Sequence, residues 1–597
     1  MCGIAGFTHL NGGQQPERIL AATLAIKHRG PDQHGTWESD TVSLGAVRLK
    51  IQDLTGGDQP IIFGDHVIVF NGEIYNHQEV RRELEQRGHR FVSHCDTETV
   101  LHAFAEWDVA CFAKLRGMFA AALWNESRRR LVLVRDRLGI KPLYTMQHGA
   151  DLYFGSELKA LFVHPELPRV LDPAGLAVYL TRNFPAPDLT LLKGIGKLAP
   201  GHWLEWQDGR VRTESYWQLS MTPQPVTLDD AKQQLDELLS SAVDEHLLSD
   251  VPLGVWSSGG LDSSTILHYA AQRVPKLKTF SVSFAGRSFD ESRWFREVAQ
   301  HYGTEHQEFD LDENSGLADV IEQLPYYSDE PSADAGAVPV YFLSRMCRSA
   351  VTVALSGDGA DELFGGYATY LADSYAEKLR LVPAPLRRMG LALAQLLPAS
   401  DDKISFEYKV KRFLEGSLLP PVEAHFFWNG TFRNGELMPK FAMPPQTDWL
   451  LLDQRNYLVE DILPKCDRMS MAHALEVRPP FLDHRVVEFA NRLPHNLKIR
   501  GGSLKLLLRE LMQDKLPPSV LARPKQGFDI PIHHWFRTVL KELLRDTLAA
   551  APEMPFSRDY VRQIAQAHWS RQANYGYHLW GLLQVFLWMK RWRVSVN

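Results

Sequence analysis

The chain has 597 residues, of which 45% are hydrophobic and 23% are charged, and its formal net charge is −7. This composition is typical of a folded globular protein, and it argues against a disordered chain or a strongly basic nucleic-acid-binding protein. Because a single hydrophobic core stops growing near about 250–300 residues, the length predicts two large domains.

The apolar runs and the cysteines narrow the class of protein further. No apolar run approaches the roughly 20 residues of a membrane-spanning helix, so we expect no membrane association. The first residues lack the basic and apolar segments of a secretory signal, so we expect a cytoplasmic protein. The five cysteines are scattered without Cys-x-x-Cys pairs, which predicts neither a disulfide framework nor a zinc site.

The first 200 or so residues predict a sheet-rich domain. Runs of β-forming residues at 67–71, 131–135 and 152–154 are separated by Gly, Asp and Asn, which favour turns. Residues 218–226 lose this periodicity and contain two prolines, which is typical of a linker. We therefore predict one domain over 1–217 and a second over 227–597.

The second domain predicts strands that alternate with helices. Thr227 is a predicted helix N-cap, and apolar residues at helical spacing continue to about Leu247. Predicted strands at 251–256, 279–284 and 351–355, with a helix at 263–272, indicate a parallel sheet. Ligands of such sheets gather at the carboxyl ends of the strands. From about residue 370 onward the pattern is mainly helical.

Cys2 is the first candidate for chemistry. Removal of Met1 would place a thiol and a free α-amino group on one residue, and an amine with a pKa near about 7.7–8.0 can act as base for a thiol. Asn71 and Gly72 could supply two donors to the oxyanion of an acyl transfer. Arg48 suits an α-carboxylate through a bidentate pair, and Glu73 and Asp96 suit an α-ammonium.

The motifs that contain these residues resemble those of class II glutamine amidotransferases. They are CGIAG at 2–6, HRGPD at 28–32, RL at 48–49, NGEIYN at 71–76, DTE at 96–98 and RDRLGIKPLY at 135–144. The resemblance implies an N-terminal-nucleophile hydrolase fold in four layers, helix–sheet–sheet–helix, with glutamine as the source of ammonia. Without these motifs, Cys2 would be interpreted as a buried structural cysteine, because that is the more common role of a cysteine near a chain end.

A second set of motifs resembles ATP pyrophosphatases and the asparagine synthetase domain. It comprises SGGLDSS at 258–264, SGDGADELFGGY at 356–367, KCDRMSMA at 465–472, EVRPPFLD at 476–483, Lys505 with Arg509, and RPKQGF at 523–528. Small residues at a strand-to-helix turn let backbone N–H groups approach phosphates. The resemblance implies ATP contacts from Ser257, Ser258, Gly259, Gly260, Asp262, Ser263, Val282, Ser356 and Gly357.

The same resemblance implies the remaining roles at the second site. Mg²⁺ takes hard oxygen ligands and usually one or two carboxylates plus phosphate oxygens, and Asp262 and Asp361 are the matching positions. Asp358 would handle a proton or orient the acceptor. Lys525, and after it Lys505, would neutralise charge on the departing pyrophosphate.

Together the resemblances imply a two-domain protein of mixed α/β and α+β class, with an ATP-pyrophosphatase-like parallel domain and a helical extension after the first domain. They imply transfer of ammonia from glutamine to a carboxylate activated by ATP and Mg²⁺, with aspartate as the expected acceptor. An alternative keeps this chemistry on another carboxylate of a peptide, polysaccharide or specialised-metabolite pathway. A non-catalytic glutamine or ATP sensor would not need a nucleophile, oxyanion donors and metal ligands together. We expect no nucleic-acid partner, and a homodimer stays open.

Overall fold

The computed structural model describes residues 2–10, 12–284, 290–312, 315–397, 406–523 and 530–596. The strands are β1 Cys2–Thr8, β2 Gln33–Glu38, β3 Val42–Arg48, β4 Ile61–Phe63, β5 His66–Ile74, β6 Gly117–Asn125, β7 Arg130–Arg135, β8 Tyr144–His148, β9 Asp151–Gly155, β10 Gly196–Lys197, β11 His202–Gln207, β12 Arg210–Ser215, β13 Leu253–Trp256, β14 Lys278–Ser283, β15 Glu305–Asp310, β16 Val353–Leu355 and β17 Glu476–Arg478.

The α-helices are α1 Pro16–Ala25, α2 His77–Gln86, α3 Asp96–Trp107, α4 Leu158–Leu161, α5 Pro173–Arg182, α6 Leu228–His246, α7 Leu261–Ala271, α8 Ser292–Tyr302, α9 Leu317–Ser328, α10 Ala337–Arg348, α11 Ala360–Phe364, α12 Ala368–Leu379, α13 Ala384–Gln395, α14 Phe406–Gly416, α15 Pro421–Asn429, α16 Trp449–Arg455, α17 Leu463–Met471, α18 His484–Arg492, α19 His495–Lys498, α20 Leu506–Met512, α21 Pro518–Ala522, α22 Ile532–Trp535, α23 Lys541–Ala550, α24 Arg558–Trp569 and α25 Gly576–Trp592. Short 3-10 turns occupy Lys27–Arg29, Asp108–Lys114 and Pro480–Leu482, and a π-helical turn occupies Leu458–Ile462.

Two antiparallel sheets form the first half of the chain. One has the strand order β10-β8-β9-β1-β3-β2, and the other has the order β12-β11-β7-β6-β5-β4. Side chains of a strand alternate between its two faces. In β1, accordingly, Ile4 lies in the core between the two sheets, whereas Ala5 and Phe7 lie in a different core on the outer face of their sheet.

Helices cover the outer face of each of these sheets. Ile19 and Ala22 of α1 pack in the same core as Phe7. On the other side, Val80 of α2 and Val100 of α3 pack in the core that contains the second sheet's outer face. The first half is therefore layered as helix, sheet, sheet and helix, the arrangement that the resemblance to class II glutamine amidotransferases implies.

The second half is organised around a parallel sheet with the strand order β15-β14-β13-β16-β17. β13 and β16 are neighbours, and each runs into a glycine-rich turn followed at once by a helix, α7 after β13 and α11 after β16. The carboxyl ends of these strands lie at one edge of the sheet, so the two turns are side by side.

Most of the elements that the sequence predicted are present at nearly the predicted bounds. The predicted strands fall within or overlap β5, β7, β9, β13, β14 and β16, and the Thr227 hydroxyl caps α6 by accepting a hydrogen bond from Asp230 N. Residues 218–226 contain neither helix nor strand. The strands β15 and β17 of the parallel sheet were not among the predicted elements. No described helix is both long and apolar enough to span a bilayer.

The two halves share a buried apolar core. Met118 and Ile140 of the first half belong to the same buried cluster as Leu235 of α6 and Val255 of β13. The helical region that follows has a charged group at its centre: His425 of α15 is fully buried and lies 2.7 Å from Asp373 and 2.9 Å from Asp453.

Candidate active sites

Cys2 is buried at the start of β1, where it lies opposite Arg48 in the sheet register. Its backbone N–H donates to Asn71 Oδ1 at 3.1 Å, and Gln59 Nε2 lies 3.8 Å from its sulfur. Burial raises the pKa of the Cys2 thiol above its ordinary value. The resting thiol is therefore protonated, and a nearby base is needed to generate the nucleophile.

Asn71 and Gly72 lie together on β5, the strand that faces β1 across the core. Asn71 is fully buried, and its Nδ2 lies 3.5 Å from Ser156 Oγ. Gly72 pairs with Phe119 of β6, and a Cβ at this position would come within 2.2 Å of Met118 O. Only glycine fits at this close approach, which leaves the backbone beside Asn71 without a covering side chain.

Arg48 lies beside the nucleophile, but its guanidinium is already engaged. Its terminal nitrogens donate to the carbonyl oxygens of Gln52, Asp53 and Gly56 at 2.6–3.0 Å and to Asp58 at 3.0 Å. A bidentate pair with a substrate carboxylate would have to replace some of these bonds. In this structure Arg48 fixes the loop that follows β3.

Glu73 and Asp96, the predicted partners of an α-ammonium, are both buried. Asp96 Oδ2 accepts from Ile74 N at 2.9 Å, and Glu73 accepts from the side-chain amide of Gln52. Burial raises the pKa of Glu73 well above its ordinary value and also raises the pKa of Asp96. In their ionised forms these two neighbouring buried carboxyl groups suit a cationic ligand, and a cation bound beside them would oppose the rise in both pKa values.

The first phosphate-binding candidate is the turn between β13 and α7. Ser263 Oγ accepts from Ser258 N at 3.2 Å and lies 3.1 Å from Ser258 Oγ, which closes the turn on itself. Gly259 has a φ of +66°, and a Cβ there would come within 2.4 Å of Phe295 N. Ser257 N donates to Phe280 O of the neighbouring strand at 2.9 Å.

The second turn, after β16, touches the first. A Cβ at Gly357 would lie 2.8 Å from Ser263 N and 3.0 Å from Asp262 Cβ, so the two turns meet at that glycine. Ser356 N donates to Arg478 O at 3.0 Å, and Ser356 Oγ donates to Asp358 Oδ2 at 2.9 Å. Val282 lies near the end of β14, on the other side of β13.

The two predicted metal ligands converge on one point. Lys505 Nζ lies 2.5 Å from Asp262 Oδ1 and 2.5 Å from Asp361 Oδ1. The same position therefore holds a cation between two carboxylates from the two turns. Such a donor set fits Mg²⁺, which commonly uses one or two carboxylates and completes its shell with phosphate oxygens and water.

Two other predicted residues have different outcomes. Asp358 follows Ser356 and Gly357 in the second turn, close to the synthetase motif at 465–472. Its charge helps to raise the pKa of the Lys465 ammonium in that motif, although Asp334 and Asp461 have larger effects on this pKa. Lys525, the preferred pyrophosphate lysine, lies outside the described residues.

A buried ionic network lies between the two candidate sites, and the sequence analysis gave it no role. Arg29 Nε donates to Cys2 O at 3.1 Å, and its terminal nitrogens lie 2.7 Å from Glu157 and 2.8 Å from Asp467 of α17. Lys141 Nζ lies 3.5 Å from Asp467. All three residues, Arg29, Lys141 and Asp467, occur within the motifs described above, and their place in those motifs was the sequence feature that could have indicated a role for them.

Acidic groups that sequence reasoning also missed lie next to the second turn. Burial raises the pKa of Glu362 to about 8, and Tyr367 donates to its carboxyl at 2.6 Å. Burial, together with the charge of Asp334, raises the pKa of Asp461 to about 8. Asp461 lies in the π-helical turn, and π-helical turns are frequent at functional sites.

The layered first half, with its N-terminal cysteine beside an Asn–Gly pair, and the parallel second half, with two glycine-rich turns, define an amidotransferase joined to an ATP-dependent ligase. The glutamine amidotransferase domain family matches residues 1–217, and the asparagine synthase family matches residues 234–592.

Full-length relatives agree with these matches. The chain is 32% identical to asparagine synthetase [glutamine-hydrolyzing] 1 of Bacillus subtilis, over 98% of this chain and 96% of that protein. It is 32% identical to a putative asparagine synthetase [glutamine-hydrolyzing] of Mycobacterium tuberculosis, over 98% of this chain and 97% of that protein. It is 28% identical to amidase chry2 of Gibberella zeae, over 90% of this chain and 90% of that protein. The chain belongs to the asparagine synthase family and is an ATP-dependent amidating ligase.

Proposed function

We propose that the protein is a glutamine-dependent asparagine synthetase, which converts aspartate, glutamine and ATP into asparagine, glutamate, AMP and pyrophosphate. One observation carries the proposal: a single chain combines Cys2, held against Asn71, with two glycine-rich turns whose carboxylates converge on Lys505. The naming of the bacterial relatives supports aspartate as the acceptor. Residues 1–217 would form the N-terminal-nucleophile hydrolase domain and 227–597 the ATP-pyrophosphatase-like domain.

In the first half-reaction, Cys2 would attack the side-chain amide of glutamine. Burial keeps the thiol protonated at rest, so the nucleophile needs a base. The thiol proton would pass to the α-amine that Met1 removal exposes. Asn71 Nδ2 and the Gly72 N–H would stabilise the oxyanion. The C–N bond then breaks, the nitrogen leaves as ammonia, and water hydrolyses the thioester to glutamate and regenerates the thiol.

In the second half-reaction, a carboxylate oxygen of the acceptor would attack the α-phosphorus of ATP, and pyrophosphate leaves. Backbone N–H groups of the turn at 258–263 and the N-terminus of α7 suit the phosphates. Asp262 and Asp361 would hold Mg²⁺, which when bound screens the charge that develops on the departing pyrophosphate. Ammonia then attacks the acyl-adenylate carbonyl, and AMP leaves.

The two halves share a core, and the ionic network links Cys2 of the first half through Arg29 to Asp467 of the second half. This arrangement supports transfer of ammonia inside the protein. A protein that only sensed glutamine would have no reason to retain a second site of this kind.

The acceptor is tested by identifying the product. The protein is incubated with ATP, Mg²⁺ and ¹⁵N-amide glutamine, together with aspartate, glutamate or succinate in separate reactions, and the products are analysed by mass spectrometry. We expect ¹⁵N-asparagine from aspartate, with AMP and pyrophosphate in equal amounts. Hydrolysis of glutamine without any product from aspartate would contradict this acceptor while leaving the family chemistry in place.

A further inference from the structure

The predicted glutamine pocket contains a side chain that comes from the other half of the protein. Arg478 lies at the end of β17, the edge strand of the parallel sheet, and is fully buried. Its NH2 group lies 3.2 Å from Glu73 Oε2 on β5 of the first half. The partner of a predicted substrate-binding carboxylate therefore belongs to the synthetase half.

The Arg478 side chain is held rigidly in this position. Its Nε donates to Glu476 Oε1 at 2.6 Å, and its NH1 donates to His246 O at 2.8 Å and to Leu248 O at 2.7 Å, at the carboxyl end of α6. An arginine fork that satisfies the last carbonyls of a helix has little rotamer freedom left. Within the part of the chain that the structure describes, the NH2 group forms no hydrogen bond, and its contact with Glu73 Oε2 at 3.2 Å is that of an ion pair.

The Arg478 backbone is tied to the synthetase site. Arg478 pairs with Leu355 of β16 in the parallel register, and its carbonyl accepts from Ser356 N at 3.0 Å. Ser356 opens the second glycine-rich turn. One residue thus contacts the turn at the nucleotide site through its main chain and the glutamine pocket through its side chain.

The charge of Arg478 has a direct effect on Glu73. Burial raises the pKa of Glu73, and the Arg478 guanidinium is the largest influence that opposes this rise, whereas Asp96 and Glu476 reinforce it. Without the guanidinium, the pKa of this buried carboxyl group would rise further. Its ionised form, which attracts a substrate ammonium, would then be less favoured.

We propose that Arg478 is a positioning residue for glutamine: its guanidinium, 3.2 Å from Glu73 Oε2, holds the Glu73 carboxyl group in place, so the pocket for the substrate's α-ammonium is complete only when both halves of the chain are assembled. This inference rests on the proposed function, because it takes glutamine as the ligand of Glu73. A neutral residue at position 478 would weaken glutamine binding without removing the nucleophile.

The test is the steady-state kinetics of full-length variants. For Arg478→Gln we expect the glutamine KM to rise about thirtyfold or more, as for loss of one partner of a buried charge pair, while glutaminase kcat stays within about threefold. Pyrophosphate release with ammonium in place of glutamine should stay within about threefold, which shows that the synthetase half is folded. Arg478→Lys, which keeps the charge, should recover part of the loss.

A matched control and a double variant separate positioning from general damage. Arg485→Gln removes an arginine of the same half that pairs with Asp483 and Glu245, and it should leave the glutamine KM unchanged. In a double-mutant cycle with Glu73→Gln, the effects should be non-additive, because each change removes the same interaction. If Arg478→Gln fails to fold, Arg478→Lys, which keeps the charge but changes the geometry, tests the idea through its glutamine KM, and a wild-type KM in that variant together with an unchanged KM in Glu73→Gln would refute it.

The outcomes are distinguishable. If the wild-type protein hydrolyses no glutamine, the proposed function fails. If it does, but Arg478→Gln has the wild-type glutamine KM, or the cycle is additive, then the role of Arg478 is refuted and the proposed function stands.

Discussion

Asp262→Asn is the substitution that most directly separates the two sites. Asp262 follows the glycine turn after β13, and its carboxylate lies 2.5 Å from Lys505 Nζ, at the point where Asp361 also converges. Asparagine keeps the size of the side chain but removes its charge. The side chain can then no longer serve as a carboxylate ligand for Mg²⁺ beside the phosphates.

The size of the effect follows from the loss of charge stabilisation at the departing pyrophosphate. Removing one electrostatic stabiliser of developing charge commonly costs about 10²–10³ in rate, or about 3–4 kcal/mol. The remaining Asp361 and Lys505 keep part of the site, so we expect a loss within this range rather than complete inactivation. Pyrophosphate release should fall with glutamine and with ammonium alike.

The assay measures pyrophosphate and glutamate in parallel for the wild type, for Asp262→Asn and for Asp244→Asn. Asp244 forms an exposed pair with Arg273, and such pairs contribute about 0–1 kcal/mol, so this control should behave as wild type. Glutamate formation should persist in Asp262→Asn, because Cys2 and Asn71 lie in the other half. Pyrophosphate release near the wild-type rate would show that Asp262 does not hold the metal.

Three further predictions concern the nucleophile and the buried histidine. Cys2→Ala should abolish glutaminase activity, measured as glutamate release, and retain ammonium-dependent pyrophosphate release. Intact-mass spectrometry of the purified protein should show loss of Met1, because the mechanism requires a free amine on Cys2. Burial opposes the charged form of His425, but Asp453 and Asp373 outweigh this effect and raise the pKa of His425 to about 10. The pKa of a histidine in the unfolded state is near about 6.5. The contribution of His425 to stability should therefore be fully present below about pH 6.5 and should decline as pH rises toward 10. His425→Gln should lower the free energy of unfolding at pH 7 by about 3–5 kcal/mol and flatten that decline, as measured by denaturant titration at several pH values.

Each of these predictions has a control. Cys111 is also a buried thiol with a raised pKa, and Cys111→Ala should keep glutaminase activity; loss of activity in both variants would mean that the cysteine substitutions act through folding. A protein that retains Met1 and still hydrolyses glutamine would rule out the α-amine as base. A pH profile of stability that is unchanged in His425→Gln would show that the charge of His425 does not contribute.

The sequence by itself determined the elements that local physics controls. The hydroxyl cap at Thr227, the strand runs within β5 and β7, and the glycine turns after β13 and β16 each follow from a few neighbouring residues. The residue types of both candidate sites could be predicted for the same reason, because a nucleophile, oxyanion donors and phosphate-binding glycines have characteristic local patterns.

Only the tertiary structure decided which residues from distant parts of the chain meet. Lys505 lies 243 residues from Asp262, and no periodicity predicts that its ammonium stands between the two carboxylates. The engagement of Arg48 by loop carbonyls, the network from Arg29 to Asp467 and the reach of Arg478 to Glu73 are equally invisible in the sequence. A charged residue in a motif has the same letter whether it faces solvent or a buried partner, because its partner is fixed by the packing of the two halves around one shared core.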